Sequence, residues 1–217
     1  MQRRDFSRSL LAVGASTTLG GLAALGHTSA QAQINGLKEG SDYVRLGRPA
    51  PVDTPVGQIE VLEFFAYTCI HCFQFEPLMT AWVKKKPAHV VVKRVPVKFS
   101  DAFAPLQKLY YALEAMGLVD TLHEKVFSAI HVDKQRLTTA EAIIDWVAKQ
   151  GVDKAKFAGV YNSFAVAGKS NRATQLQDAY QVEGTPALGV AGRFYVPGQG
   201  PRSIVVAEAL IAEIRKA

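Results

Sequence analysis

The residues best suited to chemistry are the only two cysteines of the chain, Cys69 and Cys72, which are separated by two residues. His71 lies between them, within the stretch FFAYTCIHCFQFEP that runs from position 64 to 77. A pair at this spacing can bind a metal, attach a haem, close a structural disulfide or do redox chemistry. The residues around the pair decide among these uses.

Two of these uses fit the sequence poorly. Covalent haem attachment requires a histidine directly after the second cysteine, and Phe73 occupies that position. A disulfide across two residues closes a loop too short to restrict the unfolded chain much, so it would add little stability. A structural staple is therefore the weaker explanation.

A structural zinc site is also disfavoured, because it takes four ligands that usually come from two separated pairs. The sequence has no second CxxC pair, and His89, His123 and His131 follow no ligand spacing. A copper or zinc carrier that uses the cysteine pair and His71 with an open position stays as an alternative. Otherwise we expect no metal and no cofactor.

Redox chemistry suits a pair at the predicted start of a helix. There the Cys69 sulfur would face unpaired backbone N–H groups and the positive end of the helix dipole, which both favour thiolate over thiol. A cationic His71 would add to this effect, whereas Cys72, one turn further on, should be more buried and less reactive. Stabilising the thiolate lowers the pKa of Cys69 and makes the disulfide a stronger oxidant.

The spacing of apolar residues predicts the elements that position the pair. The run 61–65 is typical of a strand buried on both faces, 70–86 has helical spacing, and 90–95 is a second buried strand. A strand, a helix and a strand in this order form a right-handed βαβ unit. The cysteine pair then lies where the first strand passes into the helix.

The rest of the chain is predicted to be mostly helical. Helical spacing recurs near 103–116, 119–130, 139–149 and 153–178, with no convincing strand between these segments. Two strands follow, over 186–190 and 193–196, and a last helix runs from about 204 to 217. The pattern predicts an α/β domain (33–101 and 180–217) that is interrupted by a helical insertion (102–179).

The first residues have the pattern of an export signal. Arginines precede an apolar stretch from about Leu10 to Leu25, which is too short and too rich in glycine and threonine for a membrane span. Ala30-Gln31-Ala32 supplies a cleavage site, so we predict a cleaved signal over 1–32 that uses the Sec or the twin-arginine route. Its removal takes away three arginines and one aspartate and lowers the net charge from +6 to +4. This modest, dispersed charge makes nucleic acid an unexpected partner.

Glu63 is a carboxylate inside an otherwise apolar strand, which costs free energy unless the group is paired or protonated. Its candidate partners are Lys93 in the adjacent predicted strand and Glu76 one to two turns along the helix. Glu63 would then relay a proton for Cys72 during disulfide exchange. The alternatives are that Glu63 reaches solvent at a strand end and that Lys93 is a surface lysine with a buried stem.

The chain resembles the DsbA family of periplasmic thiol oxidases, which are thioredoxin folds with a helical insertion. The resemblance rests on VLEFFAYTCIHCFQFEP, VVVKRVPVKF and VEGTPALGVAGRFYV, and it covers essentially the whole chain after residue 32. It implies a central mixed sheet flanked by helices. It also implies that Cys69 is the attacking cysteine and that His71 is the main stabiliser of its thiolate.

The resemblance assigns further roles around the disulfide. Thr185–Pro186 matches a loop whose cis proline presents backbone to an extended substrate peptide and keeps metal away from the thiols. Glu63, Glu76 and Lys93 match a charged group that the family buries beneath the disulfide.

One departure from the family concerns the dipeptide between the cysteines, which is usually Pro-His and here is Ile70-His71. Isoleucine keeps an N–H that can be offered to a sulfur, and it adds an exposed apolar side chain. The family resemblance therefore predicts the redox potential less well than the other properties of this chain. Most aromatic residues near the pair are expected in the core. Tyr67, Ile70 and residues around Thr185 are the candidates for the rim of a peptide groove.

These observations predict an exported, soluble and monomeric dithiol oxidase that donates the Cys69–Cys72 disulfide to reduced, unfolded exported proteins. By resemblance, a membrane quinone-linked DsbB-type protein would reoxidise it, and no stable membrane insertion of the chain itself is expected. The nearest alternative is a periplasmic reductase or isomerase, and the isomerase is disfavoured because no added dimerisation domain is recognisable. The alternative from another class is the CxxC metal carrier.

Overall fold

The computed structural model describes Ile34 and residues 36–216, so the predicted signal over 1–32 lies outside the described residues. Five strands form one sheet: β1 (Val44–Arg45), β2 (Ile59–Phe65), β3 (Val90–Pro96), β4 (Ala187–Val190) and β5 (Phe194–Val196). Their order across the sheet is β1-β5-β4-β2-β3. β2 and β3 are parallel, and the other neighbouring pairs are antiparallel. The predicted α/β class with a mixed sheet is confirmed.

The predicted βαβ unit around the cysteines is present. α1 (Ile70–Lys85) connects β2 to the parallel strand β3, and all seven residues of β2 are buried. A strand that is buried on both faces carries a nearly continuous apolar run, which is the pattern that predicted it. The carboxyl end of β2 leads through Ala66 to Thr68 into the first turn of α1. This connection fixes where the cysteines lie.

Five helices lie between β3 and β4: α2 (Ala104–Ala115), α3 (Val119–His131), α4 (Ala140–Lys149), α5 (Lys154–Tyr161) and α6 (Phe164–Ala179). The single helix predicted over 153–178 is therefore two helices. Ser163 ends the continuity, because its hydroxyl accepts a hydrogen bond from the Val166 N–H at 3.2 Å and caps α6. The last helix, α7 (Pro201–Ile214), begins three residues before the predicted start.

Two apolar clusters hold these elements together. One contains Phe65, Tyr67 and Cys72 together with Leu109 of α2 and Phe127 of α3. Each fully buried side chain of this size stabilises the fold by about 1.5–3 kcal/mol. The cluster thereby anchors the segment around the cysteines to the helical block.

The other cluster joins α1 to α7 and to the sheet, and the Trp82 Nε1 of α1 donates to the Glu208 Oε1 of α7 at 3.0 Å. Phe75 and Met79 of α1 pack with Val61 of β2 and with Val206 and Leu210 of α7. α1 therefore contributes side chains to both clusters, which fixes its orientation on the sheet. Among the described residues, no helix is both long enough and apolar enough to cross a membrane.

Candidate active site

Cys69 is the N-cap residue of α1, and its sulfur lies where the first helical N–H groups are unpaired. The Cys72 N–H donates to the Cys69 Sγ at 3.3 Å, and the same sulfur lies 3.3 Å from the carbonyl oxygen of Thr185. Both cysteines are free thiols, Cys69 partly exposed and Cys72 buried. The two sulfurs thus have the unequal accessibility that the sequence predicted.

The surroundings shift the pKa values of the two thiols in opposite directions. Hydrogen bonds from the Cys72 thiol, from the Thr185 side chain and from the backbone N–H groups of Cys72 and His71 lower the pKa of Cys69 to about 5, against the effect of burial. Burial is the main reason why the pKa of Cys72 is raised far above its ordinary value. At neutral pH the pair therefore holds a thiolate at Cys69 and a thiol at Cys72.

His71 offers its backbone rather than its ring to the Cys69 sulfur. Its imidazole is exposed, and the Nδ1 lies 3.4 Å from the Oε1 of Gln74. The groups that lower the pKa of Cys69 include the His71 N–H and no imidazole. A role of the cationic ring in stabilising the thiolate therefore stays a prediction.

The Thr185–Pro186 peptide bond is cis, as predicted. The two residues line a cavity of about 400 Å³ together with His71, Phe75 and Leu78 of α1 and the loop 198–201. Gly198 lies against this bond, because a Cβ there would come within 2.5 Å of the Pro186 oxygen. A side chain at position 198 would therefore collide with the backbone of the proline loop.

The residues proposed for the rim of a groove differ in exposure. Ile70 is 45% exposed at the start of α1, directly beside Cys69. Tyr67 is fully buried, so it belongs to the core and not to a rim. The Tyr67 hydroxyl contacts His123 of α3, and the Tyr67 carbonyl oxygen contacts His131 of the same helix.

Beneath α1 lies a buried charge cluster formed by Glu63 of β2, Glu76 of α1 and Arg94 of β3. The Arg94 Nη2 donates to the Glu76 Oε1 at 2.5 Å, and its Nε lies 3.2 Å from the Glu63 Oε2. Both carboxylates are almost fully buried and the guanidinium is only 16% exposed. One cation therefore serves two buried carboxyl groups.

The prediction that Lys93 belongs to this cluster is wrong. Lys93 is 36% exposed, and its Nζ pairs with the Glu60 Oε2 at 2.8 Å and with the carbonyl of Asp53. Successive residues of a strand point to opposite faces, and Glu63 is in register with Arg94 rather than with Lys93. Arg94, and not Lys93, is therefore the basic residue of the buried charge cluster.

His123 of α3 completes the cluster and was missed by the sequence analysis. Its Nε2 lies 3.2 Å from the Glu76 Oε2, and its Nδ1 lies 2.7 Å from the Tyr67 hydroxyl. Eight residues further along α3, the His131 Nε2 lies 2.8 Å from the Tyr67 carbonyl oxygen. The spacing of His123, Phe127 and His131 places all three on one helix face, which is the signal that the sequence offered.

The surroundings shift the pKa values of the two carboxyl groups in opposite directions. Burial, with the nearby charge of Glu76, raises the pKa of Glu63 to about 8. Burial alone would also raise the pKa of Glu76, but the hydrogen bond from His123 and the charge of Arg94 lower it overall. Glu63 is therefore the carboxyl that is protonated at neutral pH.

The unequal thiols make a testable prediction for alkylation. Because the thiolate is the nucleophile, the rate of iodoacetamide alkylation of Cys69 should reach half its maximum near pH 5. Cys72→Ala removes the strongest donor to that sulfur and should move the midpoint upward, while Cys69→Ser should abolish fast alkylation. Mass spectrometry of the reduced protein over a pH series measures this. An ordinary cysteine has a pKa of about 8.5. A midpoint between pH 8 and 9 would therefore contradict the environment assigned to Cys69.

Comparison with known proteins gives the site its context. A family model described as "DSBA-like thioredoxin domain" matches residues 60–205. The thiol:disulfide interchange protein DsbA of Bordetella pertussis is 45% identical over 194 residues, which cover 89% of this chain and 87% of that protein. The protein of the same name from Pseudomonas aeruginosa is 42% identical over 163 residues, 75% of this chain and 77% of that one.

Solved structures agree with this. The crystal structure of Pseudomonas aeruginosa DsbA has a TM-score of 0.80 at 39% identity, with 84% of this chain and 96% of that chain covered. The oxidoreductase DsbA from Xylella fastidiosa has a TM-score of 0.79 at 27% identity, with 83% and 99% covered. The predicted thioredoxin fold and the stated resemblance are confirmed: the chain belongs to the DsbA-like thioredoxin family.

Proposed function

We propose that this thiol:disulfide oxidoreductase works as an exported dithiol oxidase, which passes the Cys69–Cys72 disulfide to reduced cysteines of newly exported proteins. The observation that carries the proposal is the Cys69 sulfur at the N-cap of α1, with a pKa lowered to about 5 beside a buried thiol. Stabilising a thiolate stabilises the reduced protein, and a protein that is stable when reduced has a strongly oxidising disulfide.

The reaction consists of two exchanges. A substrate thiolate attacks the Cys69 sulfur, the bond between Cys69 and Cys72 breaks, and the Cys72 sulfur leaves and takes up a proton. A second substrate thiolate then attacks the substrate sulfur of the mixed disulfide, and Cys69 leaves as a thiolate. The substrate loses two electrons and gains one disulfide, and the protein accepts those electrons and ends as the dithiol.

Glu63 is the proposed source of the proton for Cys72. The Cys72 sulfur receives a hydrogen bond from the backbone of Ala66, three residues along the chain from Glu63. A group with a pKa of about 8 is protonated at neutral pH and can give up its proton without a large barrier. Glu76 and Arg94 act through Glu63, because they fix its charge state.

The cavity beside the cis proline is the proposed site for the substrate peptide. Thr185 and Pro186 line it with residues of α1, and the exposed Ile70 adds apolar surface next to Cys69. A lining that combines apolar side chains with polar ones such as Gln74 and Gln199 suits extended, unfolded chains of varied sequence. The role of Thr185 and Pro186 is to hold such a chain against the Cys69 sulfur.

The cellular setting follows from the same proposal. Residues 1–32 would direct export to the periplasm, where the monomeric protein meets reduced clients. The dithiol that each reaction leaves must be reoxidised, and a DsbB-type membrane protein linked to quinones is the proposed oxidant. Ile70 in place of the usual proline makes the redox potential the quantity to measure.

Equilibration with glutathione tests the direction of the reaction. We expect a potential well above the value of about −270 mV for thioredoxin, and rapid oxidation of a reduced peptide with two cysteines. After oxidation by glutathione disulfide, which joins glutathione to Cys69, Cys72→Ser should exchange that glutathione for a peptide with one cysteine and form a mixed disulfide, whereas Cys69→Ser should form none. A strongly reducing potential would favour the reductase. Tight zinc or copper binding by the reduced protein, without peptide oxidation by the disulfide form, would favour the metal carrier.

A further inference from the structure

The two buried carboxyl groups differ in their hydrogen-bond donors. Glu76 Oε1 accepts from the Arg94 Nη2 at 2.5 Å and from the Thr80 hydroxyl at 2.8 Å, and its Oε2 lies 3.2 Å from the His123 Nε2. The Glu63 Oε2 is buried without a hydrogen-bond partner among the described residues, although the Arg94 Nε lies 3.2 Å away. A carboxylate needs donors when it is buried, so this arrangement suits a charge on Glu76 and a proton on Glu63.

The partners of His123 determine which of its nitrogens carries the hydrogen. Burial raises the pKa of Tyr67 well above its ordinary value, so the phenol keeps its hydrogen and donates it to the Nδ1 at 2.7 Å. The Nε2 of a neutral ring then carries the hydrogen and donates to Glu76. Burial also lowers the pKa of His123, which keeps the ring neutral.

The ring of His123 is buried among aromatic side chains. Its faces and edges contact Phe65 and Phe127, with ring centroids 5.1 and 5.2 Å away, and Tyr110 at 5.8 Å. Among the described residues, the groups within hydrogen-bond distance of its two nitrogens are the Tyr67 hydroxyl and Glu76. The packing therefore holds the donating nitrogen on the Glu76 carboxylate.

We propose that His123, oriented by Tyr67, is a positioning residue that makes Glu76 the ionised carboxyl of the buried pair and leaves the transferable proton on Glu63. Arg94 can neutralise only one carboxylate, so the carboxyl with the additional donors ionises first. The inference rests on the proposed function, in which that proton goes to the Cys72 sulfur. A residue of α3, 47 positions from Glu76 in the sequence, would then determine which carboxyl group keeps the proton.

Several other groups face the buried pair and belong to any account of its pH dependence. Arg94 approaches from β3, and Cys72 and Thr80 lie on α1 with Glu76. Tyr110 of α2, His123 of α3 and Tyr67 approach from the helical block and from the connection before α1, and the exposed Glu124 of α3 acts by its charge on His123. Apart from Arg94, the groups with a hydrogen-bond donor within reach of Glu76 are Thr80 and His123. His123 is thus the titratable donor to test.

Carbon-13 NMR of glutamate carboxyl groups in the mature protein measures the two protonation midpoints, with Glu63→Gln and Glu76→Gln to assign the signals. His123→Phe keeps the ring volume and removes the donor, and should raise the midpoint of Glu76 by about one to two pH units, the range for a lost charge-assisted hydrogen bond. His123→Gln retains an N–H donor and should keep the midpoint within about half a unit of wild type. A structural role alone would change thermal stability and leave these midpoints unmoved.

Two results would overturn the inference: an unchanged Glu76 midpoint in folded His123→Phe, or a wild-type proton that resides on Glu76. If His123→Phe does not fold, Tyr67→Phe decides, because loss of the phenol frees the Nδ1 to carry the hydrogen. A raised Glu76 midpoint then supports the inference and an unmoved one overturns it. The titration needs no substrate, so peptide oxidation by the wild-type protein tests the proposed function separately.

Discussion

Replacing Glu63 by glutamine should stabilise the reduced protein at pH 8 and change its stability little at pH 4.5. The pKa of Glu63 is about 8 in the folded protein, against 4.5 for an ordinary glutamate. Between these values the folded chain binds a proton that the unfolded chain releases, so the free energy of unfolding falls as the pH rises. Below pH 4.5 and above pH 8 the Glu63 contribution is constant.

The size of the effect follows from the width of this window. Each pH unit inside it changes the free energy of unfolding by about 1.4 kcal/mol, so the difference between the variant and wild type should grow to several kcal/mol at pH 8. Glutamine resembles the protonated acid in shape and carries no charge at any pH. It therefore removes the penalty of ionising a buried carboxyl and keeps the packing.

Urea unfolding of the reduced protein at steps between pH 4.5 and 8 measures the difference. Glu114→Gln is the matched control, because Glu114 forms an exposed pair with Lys169, and such pairs contribute at most about 1 kcal/mol. The control should shift the curve by a small and nearly constant amount. Stability curves of Glu63→Gln and wild type that run parallel over the window would show that Glu63 is already ionised at neutral pH.

The central elements of the fold could be predicted because each has a clean local pattern. β2 is a largely apolar run and α1 has helical spacing, and both match the structure within one or two residues. β1 was missed because it has only two residues, too few for a period. The break between α5 and α6 was missed because a serine cap inside a helical pattern looks like an ordinary polar position.

The site was predictable where its chemistry is local. Cys69 and Cys72 follow from a short motif and the cis bond before Pro186 from the family resemblance, whereas the buried charge cluster depends on contacts that a single sequence does not specify. Lys93 and Arg94 are adjacent basic residues, and only the register of β3 against β2 decides which one faces Glu63. His123 is similarly decided by the packing of α3 against α1.

The second large effect on stability is expected for a substitution of Arg94, the neighbour of Lys93 in β3. Arg94→Met should destabilise the protein at pH 7 by about 3–5 kcal/mol, the usual cost of leaving a buried charge without its partner. Glu76 would keep its bonds to Thr80 and His123 and lose the positive charge of Arg94, which lies 2.5 Å from its Oε1. Methionine fills much of the space of the arginine stem, so the loss reports on charge more than on packing.

Lys93→Met is the matched control, one residue away in the same strand. Its partner Glu60 is buried but also accepts a hydrogen bond from the Asp53 N–H at 3.2 Å, so the cost should not exceed about 2 kcal/mol. Urea unfolding of both variants at one pH gives the comparison directly. An equal or larger loss for Lys93→Met would mean that the strand presents the other face to α1. The larger loss for Arg94→Met would instead establish this arginine as the cation that the buried carboxyl pair requires.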